Sequence, residues 1–352
     1  VPSSASAVWY VRAVEADPAP TRSTARRVLI GLGVLGALIA VVITALAVLP
    51  LGSVDLGPHP DPAPDYAAAK ARFDAIAAEE ERLGVYSECR SRLLDHGRET
   101  DVAVVLVHGL TNCPKQWAAF AETLHAQGAN VLILRVPRHG IGNADGSAVG
   151  SVTNLAGLTP QELRDYGDTA ADIAAGLGRE PRVMGLSMGG VIAAWMAQSR
   201  PELERAVVIA PALTLPVGPT WLTTGFINLF GRLPSITLPG SDKTGITHVY
   251  NGETTRGLVA MYRLGAYVRA QSASSSPAVR LIGVDWNLND NQVDNGEVQI
   301  LARNWAERGA DVAVHVYPKD LGLPHDVIDP AQPEGDTASV YPVLLEQLGF
   351  AG

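Results

Sequence analysis

The chain has 352 residues, enough to bury a large core and to hold one α/β domain of about 250 residues with room to spare. Its net charge is −9 and no Lys/Arg-rich stripe runs through it, which argues against a nucleic-acid partner. Only 18% of residues are charged, below the usual ~25%, and one segment near the N-terminus accounts for much of the deficit.

That segment, residues 28–49, contains no charged residue, Asn or Gln, and is long enough to cross a bilayer as a helix. Arg22, Arg26 and Arg27 precede it, whereas Asp55, Asp61 and Asp65 follow before the first cation, Lys70. The positive-inside bias predicts a cytoplasmic N-terminus and an extracytoplasmic remainder. Residues 1–27 read as a disordered cytoplasmic tail rich in Ser, Ala and Pro, residues 28–50 as a signal-anchor, and residues 51–66 as a Pro/Asp/Gly linker. The alternative is a secreted protein cut at the small-residue site Ala45-Leu46-Ala47. The apolar run exceeds the usual length of a signal-peptide core, which favours the anchor at the cell membrane. Cys89 and Cys113 both fall on the outer side, where an oxidising compartment would let them bridge.

Residues 67–352 form the expected folded domain. A helix is predicted over 67–83. Residues 102–108 are a continuous apolar run, suited to a strand buried on both faces, and lead into His108-Gly109-Leu110-Thr111-Asn112. A helix over 114–127 and a strand over 130–135 follow. Thr159, Pro160 and Glu162 then carry the N-cap, first-turn and capping-box signals of a helix reaching 177. The strand 181–186 enters Gly185-Leu186-Ser187-Met188-Gly189, followed by a small-residue helix to about 200 and a strand over 205–210.

Residues 211–276 break the alternation. They hold an apolar stretch with Trp221, Phe226 and Phe230 and a helix candidate over 256–272, which reads as a cap inserted over the sheet. Strands over 279–284 and 311–317, a helix over 298–308 and a closing helix over 340–348 complete the chain. Alternating buried strands and helices predict a doubly wound, mostly parallel α/β sheet.

The Gly185-x-Ser187-x-Gly189 pattern suits a nucleophile elbow. A serine on a sharp strand-to-helix turn needs neighbours without bulk two residues to either side, and the following helix N-terminus favours developing negative charge. Five residues alone are a weak signal, so the context decides. His325, flanked by Gly322 and Pro324 between the last strand and last helix, stands at the station of a general base. Asp285, Asp290 and Asp294 are the candidate acids. Asp326 reads as a solvated or loop-capping charge.

With these stations in order, the chain resembles the α/β-hydrolases, in motif style the bacterial carboxylesterase and monoacylglycerol-lipase-like enzymes, from about residue 102 to the C-terminus. The carrying residues are His108-Gly109-Leu110-Thr111, Arg135-Val-Pro-Arg-His139-Gly140, the elbow, Asp290-Asn-Gln-Val293-Asp294 and Leu323-Pro-His325-Asp326. The resemblance implies Ser187 as nucleophile, His325 as base and Asp290 as the acid, from its Asp-x-x-Val spacing. It also implies an oxyanion hole made by the backbone N–H groups of Leu110 and Met188. It makes His108 an organiser of the oxyanion loop.

The expected activity is cleavage of carboxylic esters through an acyl-serine. His139, Trp221 and Phe226 are placed at the substrate pocket, and the cap aromatics suggest a small-molecule or lipid ester. The same triad serves thioesterases, peptidases and cofactor-free haloperoxidases, and a non-catalytic binding protein on the same fold is the rival from another class. No metal-ligand spacing is present, and Gly140-x-Gly142 does not open a helix after a strand, so neither a metal nor a nucleotide cofactor is expected.

Overall fold

The computed structural model describes residues 22–142, 149–240 and 245–350; residues 1–21 of the expected tail lie outside them. The chain divides into two units, residues 1–46 and 47–352. In the first, α1 (Arg22–Val48) begins six residues ahead of the apolar run. Its stretch Leu29–Val48, with mean hydropathy 2.7, is long and apolar enough to cross a membrane.

The second unit opens with an extended segment laid along the domain. Composition reads this segment as a spacer, yet its backbone polar groups are taken up one after another by side chains far along the chain. Asn228 donates to the Ala47 carbonyl (2.9 Å) and accepts from Leu51 N–H (3.1 Å). Arg232 donates to the carbonyls of Leu49 and Pro50 (2.8 and 2.7 Å). Trp195 Nε1–H donates to the Leu56 carbonyl (2.8 Å), and Arg164 to that of Gly57 (2.7 Å). The N–H groups of His59 and Asp61 donate to Asp168 and Asp172 (2.8 and 3.0 Å). Those two carboxylates, with Glu202, also surround the fully buried Arg200.

Asp65 caps α2 (Tyr66–Arg82) by accepting from Ala68 N–H. Then come β1 (Arg92–Leu94), β2 (Thr100–Val107), α3 (Ala118–Ala126), β3 (Asn130–Ile133), α4 (Pro160–Leu177), β4 (Gly178–Leu186), α5 (Met188–Ser199) and β5 (Arg205–Ile209). The expected capping box of Thr159 and Glu162 starts α4, each side chain taking the other's backbone N–H. The cap comprises α6 (Thr220–Phe230), the short antiparallel pair β6 (Thr237–Pro239) and β7 (Gly252–Thr254), and α7 (Thr255–Ser274). The main sheet resumes with β8 (Leu281–Asn287), α8 (Asn295–Glu307), β9 (Asp311–Tyr317) and α9 (Thr337–Gln347).

The seven main strands run in the order β1-β3-β2-β4-β5-β8-β9, with β1 antiparallel to β3 and every other pair parallel. The apolar runs expected to be buried on both faces lie at the centre: Val104 to Val107 of β2 have no exposure. Residues 92–94 gave no strand signal because three half-buried edge residues carry no periodicity. In register, Val107 of β2 lies opposite Gly185 of β4, and Leu186 of β4 opposite Ile209 of β5. The carboxyl ends of the three central strands therefore share one rim, where open α/β sheets hold their sites.

Candidate active site

The rim is built around the β4–α5 turn. Ser187 has φ 60° and ψ −117°, a backbone state that costs a side-chain-bearing residue strain. Neighbouring strands hold it there: Ser187 N–H donates to Ile209 O (3.0 Å), and Ser187 O accepts from Ala212 N–H (3.3 Å). The two glycines are steric requirements. A Cβ on Gly185 would stand 2.1 Å from the Gly189 carbonyl oxygen, and one on Gly189 would stand 2.0 Å from that of Val107. Met188 follows as the first residue of α5, whose first-turn N–H groups face the serine end.

His325 lies in the loop between β9 and α9. Its Nδ1–H donates to Asp290 Oδ2 at 2.5 Å, and the Asp290 side chain has no exposure. Asn287 at the end of β8 and Asn289 in the loop after it tie this segment to the loop of His325: Asn287 Nδ2 donates to Leu323 O (2.7 Å), and Asn289 Nδ2 to the same carbonyl (3.1 Å). Asp290 Oδ1 accepts from Gln292 N–H (2.8 Å), so both carboxylate oxygens are engaged. The other candidate acids are committed elsewhere. Asp294 caps α8, accepting from Gly296 and Glu297 N–H. Asp285 is buried inside the sheet on β8, takes Gln347 Nε2–H (3.0 Å), and is held well above the usual carboxylate range by burial.

The loop after β2, expected to carry an oxyanion-hole N–H, is fixed from several sides. His108 Nε2 accepts from Val136 N–H (3.0 Å), so its proton sits on Nδ1 and is donated to Gly109 O (2.9 Å). Burial, with His139 nearby, holds His108 well below the usual histidine range. His139 Nε2–H donates to Leu110 O (2.7 Å), and burial pushes this ring down to about 4. Tyr250 N–H donates to Thr111 O (2.8 Å). Gln116 Oε1 accepts from Gly109 N–H (3.0 Å). A disulfide joins Cys113, at the end of this loop, to Cys89.

Ser187, His325 and Leu110 line one cavity of about 710 Å³. Leu258, Met261 and Tyr262 of α7 form an apolar side of it, while Glu253 and Glu334 bring carboxyl groups to its wall. Burial holds the Glu253 carboxyl above its ordinary range.

The three residues expected at the pocket are not among those lining it. His139 is fully buried behind the oxyanion loop, where its ring nitrogens meet backbone carbonyls. Trp221, on α6 of the cap, is 67% exposed. Phe226 packs on Phe230 and Tyr262. Asp326 caps its own loop as expected, accepting from Ile328 and Asp329 N–H, but it is buried instead of solvated, with further partners on the loop after β2, more than 200 residues away in sequence, which no local pattern reveals. Gln116 and Asn112, missed for the same reason, sit in a stretch that reads only as loop and helix start.

The family model described as serine aminopeptidase, S33, matches residues 98–273, half of the 352-residue chain. A thermostable monoacylglycerol lipase of Bacillus sp. (strain H-257) is 27% identical over 180 residues, which are 48% of this chain and 64% of that protein. The chain thus spans under two thirds of the length of this curated relative. Among solved structures, a soluble variant of monoglyceride lipase from Saccharomyces cerevisiae, in complex with a substrate analogue, superposes with TM-score 0.56 at 15% identity, covering 74% of this chain and 91% of its own. A structure reported with the metagenome-derived lipolytic enzymes LipS and LipT gives TM-score 0.54 at 19% identity, covering 75% and 99%. At these identities the two structures speak for the fold.

Proposed function

The chain belongs to the serine aminopeptidase S33 family of α/β-hydrolases, and from that premise we propose that it cleaves carboxylic esters, of the carboxylesterase or acylglycerol-lipase type, with Ser187, His325 and Asp290 as its triad. The observation that carries this reading is the His325–Asp290 pair at 2.5 Å, opening on the cavity that also exposes the strained Ser187.

In the proposed mechanism, His325 Nε2 takes the proton of Ser187 as its oxygen attacks the ester carbonyl. Asp290 fixes the tautomer and stabilises the imidazolium. The N–H groups of Leu110 and Met188 receive the tetrahedral oxyanion. His325 then protonates the leaving alcohol, and water repeats the sequence on the acyl-serine. The apolar wall of Leu258, Met261 and Tyr262 suits an acyl chain.

A second reading, a peptidase, is favoured by the family's description and by Glu253 and Glu334, which give the cavity acceptors for a cationic group. Hydrolysis of p-nitrophenyl esters of graded acyl length, beside aminoacyl p-nitroanilides, tests both with the full-length chain. Esters are expected to turn over and Ser187→Ala to lower kcat by several orders of magnitude. Turnover of the anilides alone transfers the chain to the peptidases, and an unaffected Ser187→Ala removes the triad.

We also propose that α1 anchors the protein in the cell membrane with residues 47–352 outside. Support comes from the arginines before the apolar run and from the disulfide. Retention of the anchor over cleavage after Ala47 is favoured by Asn228, which uses the Ala47 carbonyl as an acceptor.

A further inference from the structure

We infer that Asp326 is a positioning residue for this reaction: a buried carboxylate that sets the register between the loop carrying His325 and the loop carrying the oxyanion hole. The inference rests on the Ser187–His325–Asp290 reading above. Asp326 is 5% exposed, and the described residues supply its carboxylate with N–H donors. Oδ1 accepts from the N–H groups of Ile328 and Asp329 (both 3.2 Å), which folds the histidine loop on itself. Oδ2 accepts from Asn112 Nδ2 (3.0 Å), Gln116 Nε2 (2.8 Å) and Gln332 Nε2 (3.2 Å).

Two of those donors belong to the oxyanion side, and each hands the restraint onward. Asn112 Oδ1 accepts from Cys113 N–H (3.0 Å). Gln116 Oε1 accepts from Gly109 N–H (3.0 Å), one peptide from the Leu110 donor. The link Asp326–Gln116–Gly109 therefore runs from the residue beside the base to the peptide beside the oxyanion hole. Its polarity is fixed: an acceptor on Asp326, a donor and an acceptor on one primary amide, a donor on the backbone. A second cross-brace lies beside it, where His248 meets Asp329 at 2.7 Å and ties the segment leading into β7 to the same loop. Burying a carboxylate against amides is costly unless its acceptor sites are filled, so this geometry holds as a unit.

In transition-state terms the link keeps the proton acceptor and the oxyanion donors at one separation. Displacing either by a fraction of an ångström lowers kcat while leaving ground-state binding in the cavity almost untouched.

The test uses Asp326→Asn, Gln116→Glu and their combination in the full-length protein, with circular dichroism and melting temperature to establish folding. Asp326→Asn turns an amide donor toward donors and is expected to lower kcat about 10- to 100-fold with KM within about twofold. Affinity for a trifluoromethyl ketone, which forms a tetrahedral oxyanion on the serine, should fall by the same factor. The double variant re-forms the link with its polarity reversed, the introduced amide donating to the introduced carboxylate, and is expected to recover kcat above both single variants. If folded Asp326→Asn keeps wild-type kcat, or the double variant is no better than the worse single, the inference is overturned. Should Asp326→Asn not fold, Gln116→Met carries the test: it leaves Asp326 its loop contacts, and an unchanged kcat overturns the link. Failure of the triad reading is distinguishable, because then either Ser187→Ala would turn over ester as wild type does, or wild type would hydrolyse no ester and ignore the ketone.

Discussion

Ser187 stores strain that substitution can release. Its φ of 60° with ψ of −117° places a Cβ against its own backbone, at a cost of about 1–3 kcal/mol for a residue that is not glycine. Ser187→Gly removes that cost but adds about 0.5–1 kcal/mol of unfolded-state entropy. Ser187→Ala removes the hydroxyl and keeps the strain. The glycine variant should therefore be more stable than the alanine variant by about 1–2 kcal/mol, although both lack the proposed nucleophile. Residues 47–352 number 352 − 46 = 306. At about 2.1 cal/mol/K per residue, the unfolding entropy is about 640 cal/mol/K, so the difference amounts to about 2–3 °C in Tm. Scanning calorimetry of the full-length protein in detergent resolves it. A glycine variant melting at or below the alanine variant would refute the strain argument and mean that the loops around Ser187 relax when its side chain is gone.

Three further outcomes follow from the packing. Between about pH 6.5 and 4 the unfolded chain binds protons at His108 and His139 that the folded protein refuses, because burial holds the first well below its ordinary range and the second at about 4. Stability should be full above pH 6.5 and fall as pH drops through this window, by about 3 kcal/mol at pH 4 from His139 alone. Urea titrations at pH 7, 5 and 4 read the slope, and His139→Gln should flatten it. Replacing both cysteines by alanine releases a cross-link between residues 24 apart, for a loss of about 3 kcal/mol in the chain-entropy model; under the proposed mechanism ester turnover should fall further than stability predicts, since Cys113 ends the loop proposed to carry the oxyanion hole. Arg200→Met strands the carboxylates of Asp168, Asp172 and Glu202 around an uncharged side chain, and the expected cost is about 3–5 kcal/mol, read as a lower Tm.

Local chemistry made part of this molecule legible. The elbow could be recognised because its glycines answer a steric demand set by the two residues they face, and the capping box of α4 because its partners are three residues apart. The central strands announced themselves as unbroken apolar runs. The separation of Asp290 from Asp285 and Asp294 rests on the likeness of its loop to a family; the structure adds that Asp294 is engaged as a helix cap and that Asp285 is buried against Gln347 of α9. Long-range polar pairing was invisible. A carboxylate beside a histidine looks solvated until Asn112 and Gln116 arrive from across the fold, and a stretch rich in Pro, Asp and Gly looks like a tether until Asn228, Arg232 and Trp195 are seen to hold its backbone. Aromatic residues misled for a related reason: apolarity marks a place in a surface or core equally well, and Trp221 stands outside the cavity that its composition suggested.

That held stretch decides where a soluble version of this protein can begin. A chain trimmed to position 61, within the apparent spacer, would lose the Leu56 side chain from the core. It would also leave the Trp195 ring N–H without its Leu56 acceptor and the Asp168 carboxylate without the His59 N–H. Each orphaned polar group costs about 1–3 kcal/mol, so the shortened protein would be weakened beneath α4 and α5, the helices on either side of β4 in the chain. The same cut made ahead of Ala47 leaves every one of these contacts in place. Two truncations that look equivalent in the sequence would differ in shelf life, protease resistance and yield, and the longer one is the proper starting material for enzymology.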